Sequence, residues 1–304
     1  DRYFRVIDIY GLGGMGKTCL LHTLKSEISE IVSPDESLII DVSLEIDKHQ
    51  SLKSLVSIRK QIPESCITFD YALISYWEKS GCIEKIDDSF MSEIRESIWN
   101  ALSVVDAISD ICSAALPTPV SIPSISELFN LVDKVIRKGK QVLIRDKLSA
   151  INQLDLQDLL KKMPAFLGFD IDKITEKKNK KIVFLCDSYQ QSVPYCESKE
   201  WLLDLVSQIH KGLFVITGRE KLKWSDTEKE ILPYQLKCFT PEVARDYITN
   251  HIDNANPETI EEIISSSNCL PLFLDIAIRV YNTELNSNNP IDIAYFKIIS
   301  ANDE

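Results

Sequence analysis

Histidine is scarce in this chain, four in 304 residues, and no two of the eight cysteines form a Cys-x-x-Cys pair. That leaves no zinc-ligand spacing. Basic residues are outnumbered, 34 Lys and Arg against 46 Asp and Glu, for a formal net charge of −12. Nucleic-acid binding needs clustered positive charge, so that class is disfavoured, while a local basic pocket for one nucleotide stays compatible with the balance. No apolar run reaches the roughly 18 residues of a membrane span. No signal peptide is evident; the chain opens at Asp1, runs directly into a strand-like segment and reads as a piece of something longer. The cysteines, with Cys19 and Cys186 inside apolar runs, read as reduced and mostly buried thiols of an intracellular, cytoplasmic protein. What is present is ordinary for a globular chain: 44% hydrophobic and 26% charged residues, over a length that makes one large domain or two ordinary ones.

Glycine is also scarce, and its distribution is uneven. Of nine glycines, Gly11, Gly13, Gly14 and Gly16 fall in one octet, GLGGMGKT, from Gly11 to Thr18. The octet matches G-x-x-x-x-G-K-S/T, the phosphate-binding loop. Before it, Tyr3–Tyr10 (YFRVIDIY) reads as a buried strand. After it, Lys17–Ile31 has helical periodicity, with Leu20, Leu21, Leu24, Ile28 and Ile31 on one face. Leu38–Val42 reads as a second strand. Strand, glycine loop, helix and strand begin a parallel α/β sheet. The chemistry follows from the residue types. Glycines let the backbone wrap phosphate oxygens and aim N–H groups at them. The helix N-terminus points its positive end at the same anion. Lys17 reaches the β- and γ-phosphates, and the Thr18 hydroxyl ligates Mg²⁺.

Residues 50–170 read differently. Helical patterns cover Leu52–Gln61, Phe69–Lys79, Phe90–Ala115, Ile125–Lys138 and Leu154–Phe166, broken once by Pro117, Pro119 and Pro123. The apolar helix Ile98–Leu116 carries Asp106 and Asp110, so a buried helix hairpin is the reading preferred to a membrane-touching face. The basic run KKNKK at Lys177–Lys181 reads as a solvated turn. Two short apolar strands follow, Ile182–Cys186 and Leu213–Thr217, with the helix Trp201–Ile209 between them. The first ends at Asp187, a metal-side carboxylate; the second ends in Thr217, Gly218 and Arg219, which would face a ligand beyond the strand ends. Arg219 would sense a γ-phosphate by bidentate contact. No Asn-Lys-x-Asp guanine-reading motif occurs, which favours ATP. Beyond about residue 230 short strands give way to helices at Pro241–Ile252, Pro257–Ser266 and Leu270–Tyr281.

These features together resemble the STAND class of P-loop ATPases, the signalling NTPases with NB-ARC or NACHT modules. GLGGMGKT resembles their Walker A loop, Asp187 their Walker B aspartate, and VITGR at 215–219 their sensor strand. CLPLFLDIA at 269–277 resembles their Gly-Leu-Pro-Leu motif, with Cys269 in place of Gly. Pro271 inherits the role of packing against the nucleotide. The stretch Tyr234–Tyr247 resembles the family's linker and first lid helix. The likeness covers roughly residues 1–45 and 180–285. It leaves out 50–170, and the Lys17-to-Asp187 separation of 170 positions is long for the class.

The resemblance implies an α/β P-loop domain at 1–235, with a large helical insertion at about 50–170, and a small all-α lid at 236–304 whose C-terminal end is truncated. It implies ATP or ADP with Mg²⁺ as cofactors. The nucleotide-contacting set would be Gly11, Gly13, Gly14, Met15, Gly16, Lys17, Thr18, Cys19, Thr217, Arg219 and Pro271. The metal ligands would be Thr18 and Asp187, and the catalytic set Lys17, Asp187, Gln190 and Arg219.

The stretch after Asp187 is DSYQQ, where family members commonly carry acidic residues. Gln190 or Gln191 can hold a water but cannot take its proton, so hydrolysis is expected to be slow. A Glu-to-Gln change is also a common trapping mutation, so Gln190 reads as either natural or engineered. The family's winged-helix domain is expected to be absent or cut short in residues 285–304, and its effector and sensor parts are missing from this sequence. The resemblance implies a switch that self-associates when ATP is bound, under a protein trigger, in an NLR-like defence complex of the bacterial anti-phage kind. No nucleic acid or membrane is expected to bind this region. Rival readings are a P-loop kinase, an AAA-type motor and a permanently liganded scaffold.

Overall fold

A computed structural model describes residues 5–33, 36–43, 50–81, 94, 148, 150–189, 201–224, 231–252 and 256–286. Five strands form one sheet: β1 (Val6–Tyr10), β2 (Ser37–Ser43), β3 (Lys181–Asp187), β4 (Gly212–Gly218) and β5 (Ile231–Gln235), in spatial order β2-β3-β4-β1-β5. The chain is an α/β fold, as the strand–loop–helix pattern predicts. β1 and β5 run parallel, with Val6 opposite Ile231 and Tyr10 opposite Gln235. β3 is buried over Ile182–Cys186, the continuous apolar signature of a strand covered on both faces.

β5 departs from the sequence reading, which placed no strand after residue 230. Pro233 has no N–H to give a sheet, so the segment reads as a linker. At the edge of this sheet a missing donor is tolerated, and Leu232 and Tyr234 remain 43% and 59% exposed.

Two compact units divide the chain. One comprises 1–28, 187–190 and 215–304; the other comprises 29–186 and 191–214. α1 (Lys17–Ile31) begins in the first unit, directly on the lysine that closes the glycine-rich octet. Three helices then form a cluster: α6 (Pro241–His251), α7 (Pro257–Ser267) and α8 (Pro271–Asn286). Thr240 caps α6 by accepting from Val243 N, and Asn256 caps α7 by accepting from Thr259 N at 2.7 Å. Each such cap satisfies an orphan helix donor and contributes about 1 kcal/mol. Ala244, Ile248, Ile263, Leu274 and Ala277 form the buried centre of this cluster.

The second unit contains α2 (Gln50–Lys60), α3 (Ile67–Ser80), α4 (Leu156–Lys178) and α5 (Trp201–Gln208). α4 runs twelve residues beyond the expected end at Phe166. Two acidic residues of that extension, Asp170 and Asp172, are buried and find partners. Asp170 accepts from Phe69 N at 2.9 Å, and Asp172 accepts from His210 N at 2.7 Å. Gly168 gives α4 its closest approach: a β-carbon there would lie 2.6 Å from the Leu205 carbonyl oxygen. Arg59 and Asp70 form a buried, two-pronged ion pair, 2.7 Å at Nε and 3.0 Å at Nη2.

The basic run is the end of α4 and the start of β3, with Asn179 in the left-handed cap conformation at φ 51°. The helices expected at Phe90–Ala115 and Ile125–Lys138, and the proline break between them, lie outside the described residues, Ile94 excepted. Among the described residues no helix is long and apolar enough to cross a membrane.

Candidate functional site

The site lies entirely in the first unit. β1 delivers the chain into the loop, and its neighbour β4 fixes the loop's entrance, with Gly11 N donating to Gly218 O at 3.2 Å. A β-carbon on Gly11 would meet the Leu236 carbonyl oxygen at 2.7 Å, so close backbone approach dictates glycine there. Gly14 and Gly16 hold φ of 77° and 82°, left-handed values that other residues adopt at a cost. Gly13 faces open space.

Lys17 folds over the loop and donates to Gly11 O at 2.8 Å and Leu12 O at 2.7 Å. These bonds hold the ammonium at the loop's centre, where an anion seated in the loop would meet it. Partial burial lowers the lysine pKa; the Arg219 guanidinium lowers it further, and Asp187 opposes both. A cation destabilised in this way gains by meeting a phosphate. Arg219 itself is exposed at the end of β4.

Three oxygen groups converge beside the loop. Thr18 Oγ1 donates to Asp187 Oδ2 at 2.7 Å, and Thr217 Oγ1 donates to Asp187 Oδ1 at 2.5 Å. Ser188 N donates to Thr217 Oγ1 at 3.1 Å, so a fully buried hydroxyl bridges the backbone and the carboxylate. Ser188 follows Asp187 at φ 62°, a left-handed turn that ends the strand abruptly. One carboxylate and one hydroxyl in contact are the hard-oxygen set that suits Mg²⁺, which takes few protein ligands and fills its remaining positions with water and phosphate oxygens. Among the described residues no cluster of three or more His, Cys, Asp or Glu offers a metal cage of another kind.

The helical cluster also reaches the loop. Leu272 N, in the first turn of α8, donates to Gly14 O at 3.0 Å. Leu272 occupies the space a Gly14 side chain would need: that β-carbon would lie 2.7 Å from Leu272 Cβ. Pro271 is the first residue of α8 and half-buried, one position from this contact. Met15 is buried, with its Sδ 3.9 Å from Cys238 Sγ. The cysteine expectation needs correcting. Cys66 and Cys186 are buried, but Cys19 and Cys238 are exposed, because Cys19 lies on an outer position of α1 that the apolar run concealed. Gln190, expected to place a water, lies outside the described residues.

Sequence reasoning missed Asp8. It sits mid-strand in β1, fully buried, and its Oδ2 accepts from Leu222 N at 2.9 Å while Oδ1 has no partner. Burial raises its pKa, against the lowering effects of the Leu222 N–H and nearby Lys221. Asp8 thus pins the turn that carries Arg219. A charged residue in an apolar strand is the only trace of this in the sequence.

No family model matches this chain, and no curated protein matches it. A solved structure that resembles it is a signal transduction ATPase with numerous domains (STAND) carrying a tetratricopeptide repeat sensor, from Pyrococcus horikoshii. The two are 16% identical with a TM-score of 0.36, over 91% of this chain and 28% of that one. This chain therefore spans little more than a quarter of that protein's length.

Proposed function

We propose that this chain is the ATP-binding, Mg²⁺-dependent module of a STAND-type switch, a slow ATPase whose nucleotide state controls self-association. The observation that carries the reading is the convergence of Lys17, Thr18, Asp187 and Thr217 on a glycine loop that α8 also touches through Leu272. In this reading the loop amides and the α1 N-terminus hold the phosphates, and Lys17 leaves its carbonyl partners for the β- and γ-oxygens. Thr18 and Asp187 hold the cation, which would neutralise phosphate charge. Thr217 keeps Asp187 oriented, and Arg219 reports the γ-phosphate. Residues 236–304 act as a lid, with Pro271 beside the nucleotide, and 50–170 as an insertion on residues 1–235. Gln190 supplies no general base, which keeps turnover slow. ATP drives assembly only by binding the open state more tightly than the closed one. A defence role with an external protein trigger completes the proposal by analogy alone.

The test is to denature the purified protein and identify released nucleotide by chromatography, then follow ATP turnover and particle size with Mg·ATP and Mg·ADP. The expected outcome is turnover well below about 1 s⁻¹, the slow end for enzymes, with larger particles in ATP and both properties lost in Lys17→Ala. Turnover of many per second without assembly would replace the switch by a motor or kinase.

A further inference from the structure

We propose that Cys238 and Cys269 form a thiol–disulfide site beside the phosphate loop, open to small disulfides of the oxidised-glutathione type. The two residues lie on separate segments joined by a backbone hydrogen bond, Phe239 N donating to Cys269 O at 3.1 Å. Covalent geometry on either side of that bond limits the two α-carbons to about 8 Å apart, a span that includes the roughly 4.4–6.8 Å a disulfide bridges. Phe239 and Cys269 also pack on the same apolar cluster. Cys238 is exposed, with its sulfur against Met15 Sδ of the loop.

A second observation is backbone strain. Asn268 and Cys269 are consecutive left-handed residues, at φ 48° and 58°. Glycine adopts that conformation freely and a side chain does not. A cysteine held there places a sulfur at a position whose backbone suits no side chain, and strain of this kind clusters at working sites.

The exposures assign the order of steps. The Cys238 thiolate attacks one sulfur of oxidised glutathione, whose S–S bond breaks and releases one glutathione thiolate. Cys269 is half-buried; burial, with Cys238 and Glu242 alongside, holds its thiol up. It loses its proton to water and attacks the Cys238 sulfur of the mixed disulfide, expelling the second glutathione. Two protein thiols become one disulfide, and one oxidised glutathione becomes two thiols. The new bond would tie together two segments that each hold the loop, through Leu236 N to Tyr10 O at 2.8 Å and Leu272 N to Gly14 O at 3.0 Å. The consequence for nucleotide exchange rests on the function proposed above; the disulfide does not.

The experiment treats the whole chain with oxidised glutathione, alkylates the remaining thiols and digests with trypsin. Cleavage after Lys237, Arg245 and Arg279 puts the cysteines on peptides 238–245 and 246–279. The expected product is those two peptides cross-linked, released by dithiothreitol, and equally present in Lys17→Ala. Cys269→Ser should accumulate glutathione on Cys238, and Cys238→Ser should leave Cys269 largely unmodified. In the oxidised wild type, release of a fluorescent ATP analogue should slow several-fold and recover on reduction. Separate glutathione adducts without a cross-link, or Cys238 joined instead to another cysteine, overturn the proposal. A chain that forms the cross-link but binds no nucleotide keeps this site and loses the ATP reading.

Discussion

Placing a methyl group on Gly14 tests the contact between α8 and the phosphate loop. Two costs combine. Gly14 has φ 77°, where a residue with a β-carbon costs about 1–2 kcal/mol. The new methyl would lie 2.7 Å from Leu272 Cβ and 3.0 Å from Leu272 Cδ2. The first of these atoms is fixed to the helix, so α8 must move, straining the Leu272 N to Gly14 O bond at 3.0 Å. Overpacking of this sort costs about 1–3 kcal/mol, giving a total of about 2–5 kcal/mol for Gly14→Ala. Two neighbours calibrate it. Gly16, at φ 82°, has nothing within 4 Å of its virtual β-carbon, so Gly16→Ala carries only the backbone cost. Gly13 has neither a positive φ nor a neighbour within that distance, so Gly13→Ala should leave the free protein nearly as stable as wild type. Urea unfolding without nucleotide should rank the variants Gly13→Ala, Gly16→Ala, Gly14→Ala in increasing damage. Equal losses at Gly16 and Gly14 would refute the packing argument, because both hold a positive φ and only Leu272 separates Gly14 from Gly16.

Three further outcomes follow from geometry elsewhere. Arg59→Met leaves Asp70 buried without its cation, so stability should fall by about 3–5 kcal/mol; Lys173→Met, at a pair more than half exposed on both sides, should change unfolding by less than about 1 kcal/mol. Burial raises Asp170 from 3.8 to about 7, against hydrogen bonds from Phe69 and Thr68 that favour its charged form. Because the folded state holds this proton more tightly than the unfolded chain, stability should decline as pH rises from about 4 to about 7, by up to about 4 kcal/mol; Asp170→Asn should flatten that slope and raise the melting temperature at pH 8, and an unchanged slope would clear Asp170 of the role. Thr217→Val strips the buried hydroxyl from Asp187 and leaves Ser188 N unpaired, costing about 1–3 kcal/mol of stability; in a Mg²⁺ titration of nucleotide binding the variant should need more metal than wild type, and an unshifted titration would remove Thr217 from the positioning role.

What was legible in the sequence was local or period-bound. The loop reads directly because eight consecutive residues specify it, and β3 and β4 read directly because a strand buried on both faces is apolar throughout. The ends of those strands then pointed to Asp187 and Thr217, and the structure brings both within hydrogen-bond reach of each other and Asp187 of Thr18. Features that depend on a distant partner stayed hidden. Asp8 finds its donor at Leu222, 214 positions away. The length of α4 was hidden because Asp170 and Asp172 look like surface residues until Phe69 and His210 are placed beside them. β5 was hidden by Pro233, whose missing donor matters only in a strand with neighbours on both sides. The left-handed turn at Asn268 and Cys269 contains no glycine; Asn268 suits that conformation, but a cysteine at the second position conceals it.

The glycines of the loop carry more than the phosphate-cradle reading assigns them. Gly11 yields its side-chain space to the Leu236 carbonyl, and Gly14 yields its own to Leu272. Both partners belong to the segment that follows β4, and each also donates a backbone hydrogen bond into the β1–loop region, at Tyr10 O and Gly14 O. Two of the loop's four glycines therefore accommodate protein, and the other two face open space. A loop built for phosphate alone would not need the first pair to be bare on that side. The proposed phosphates would draw on the loop's N–H groups, whereas Leu272 N uses the Gly14 carbonyl, so the two demands bear on one short piece of backbone. Any ligand that rotates those peptides must work against or with the α8 contact, and α8 must affect the ligand by an equal free energy in return. Coupling between the proposed nucleotide and α8 would therefore need no long pathway, since a single hydrogen bond and one leucine side chain bring the helix to Gly14.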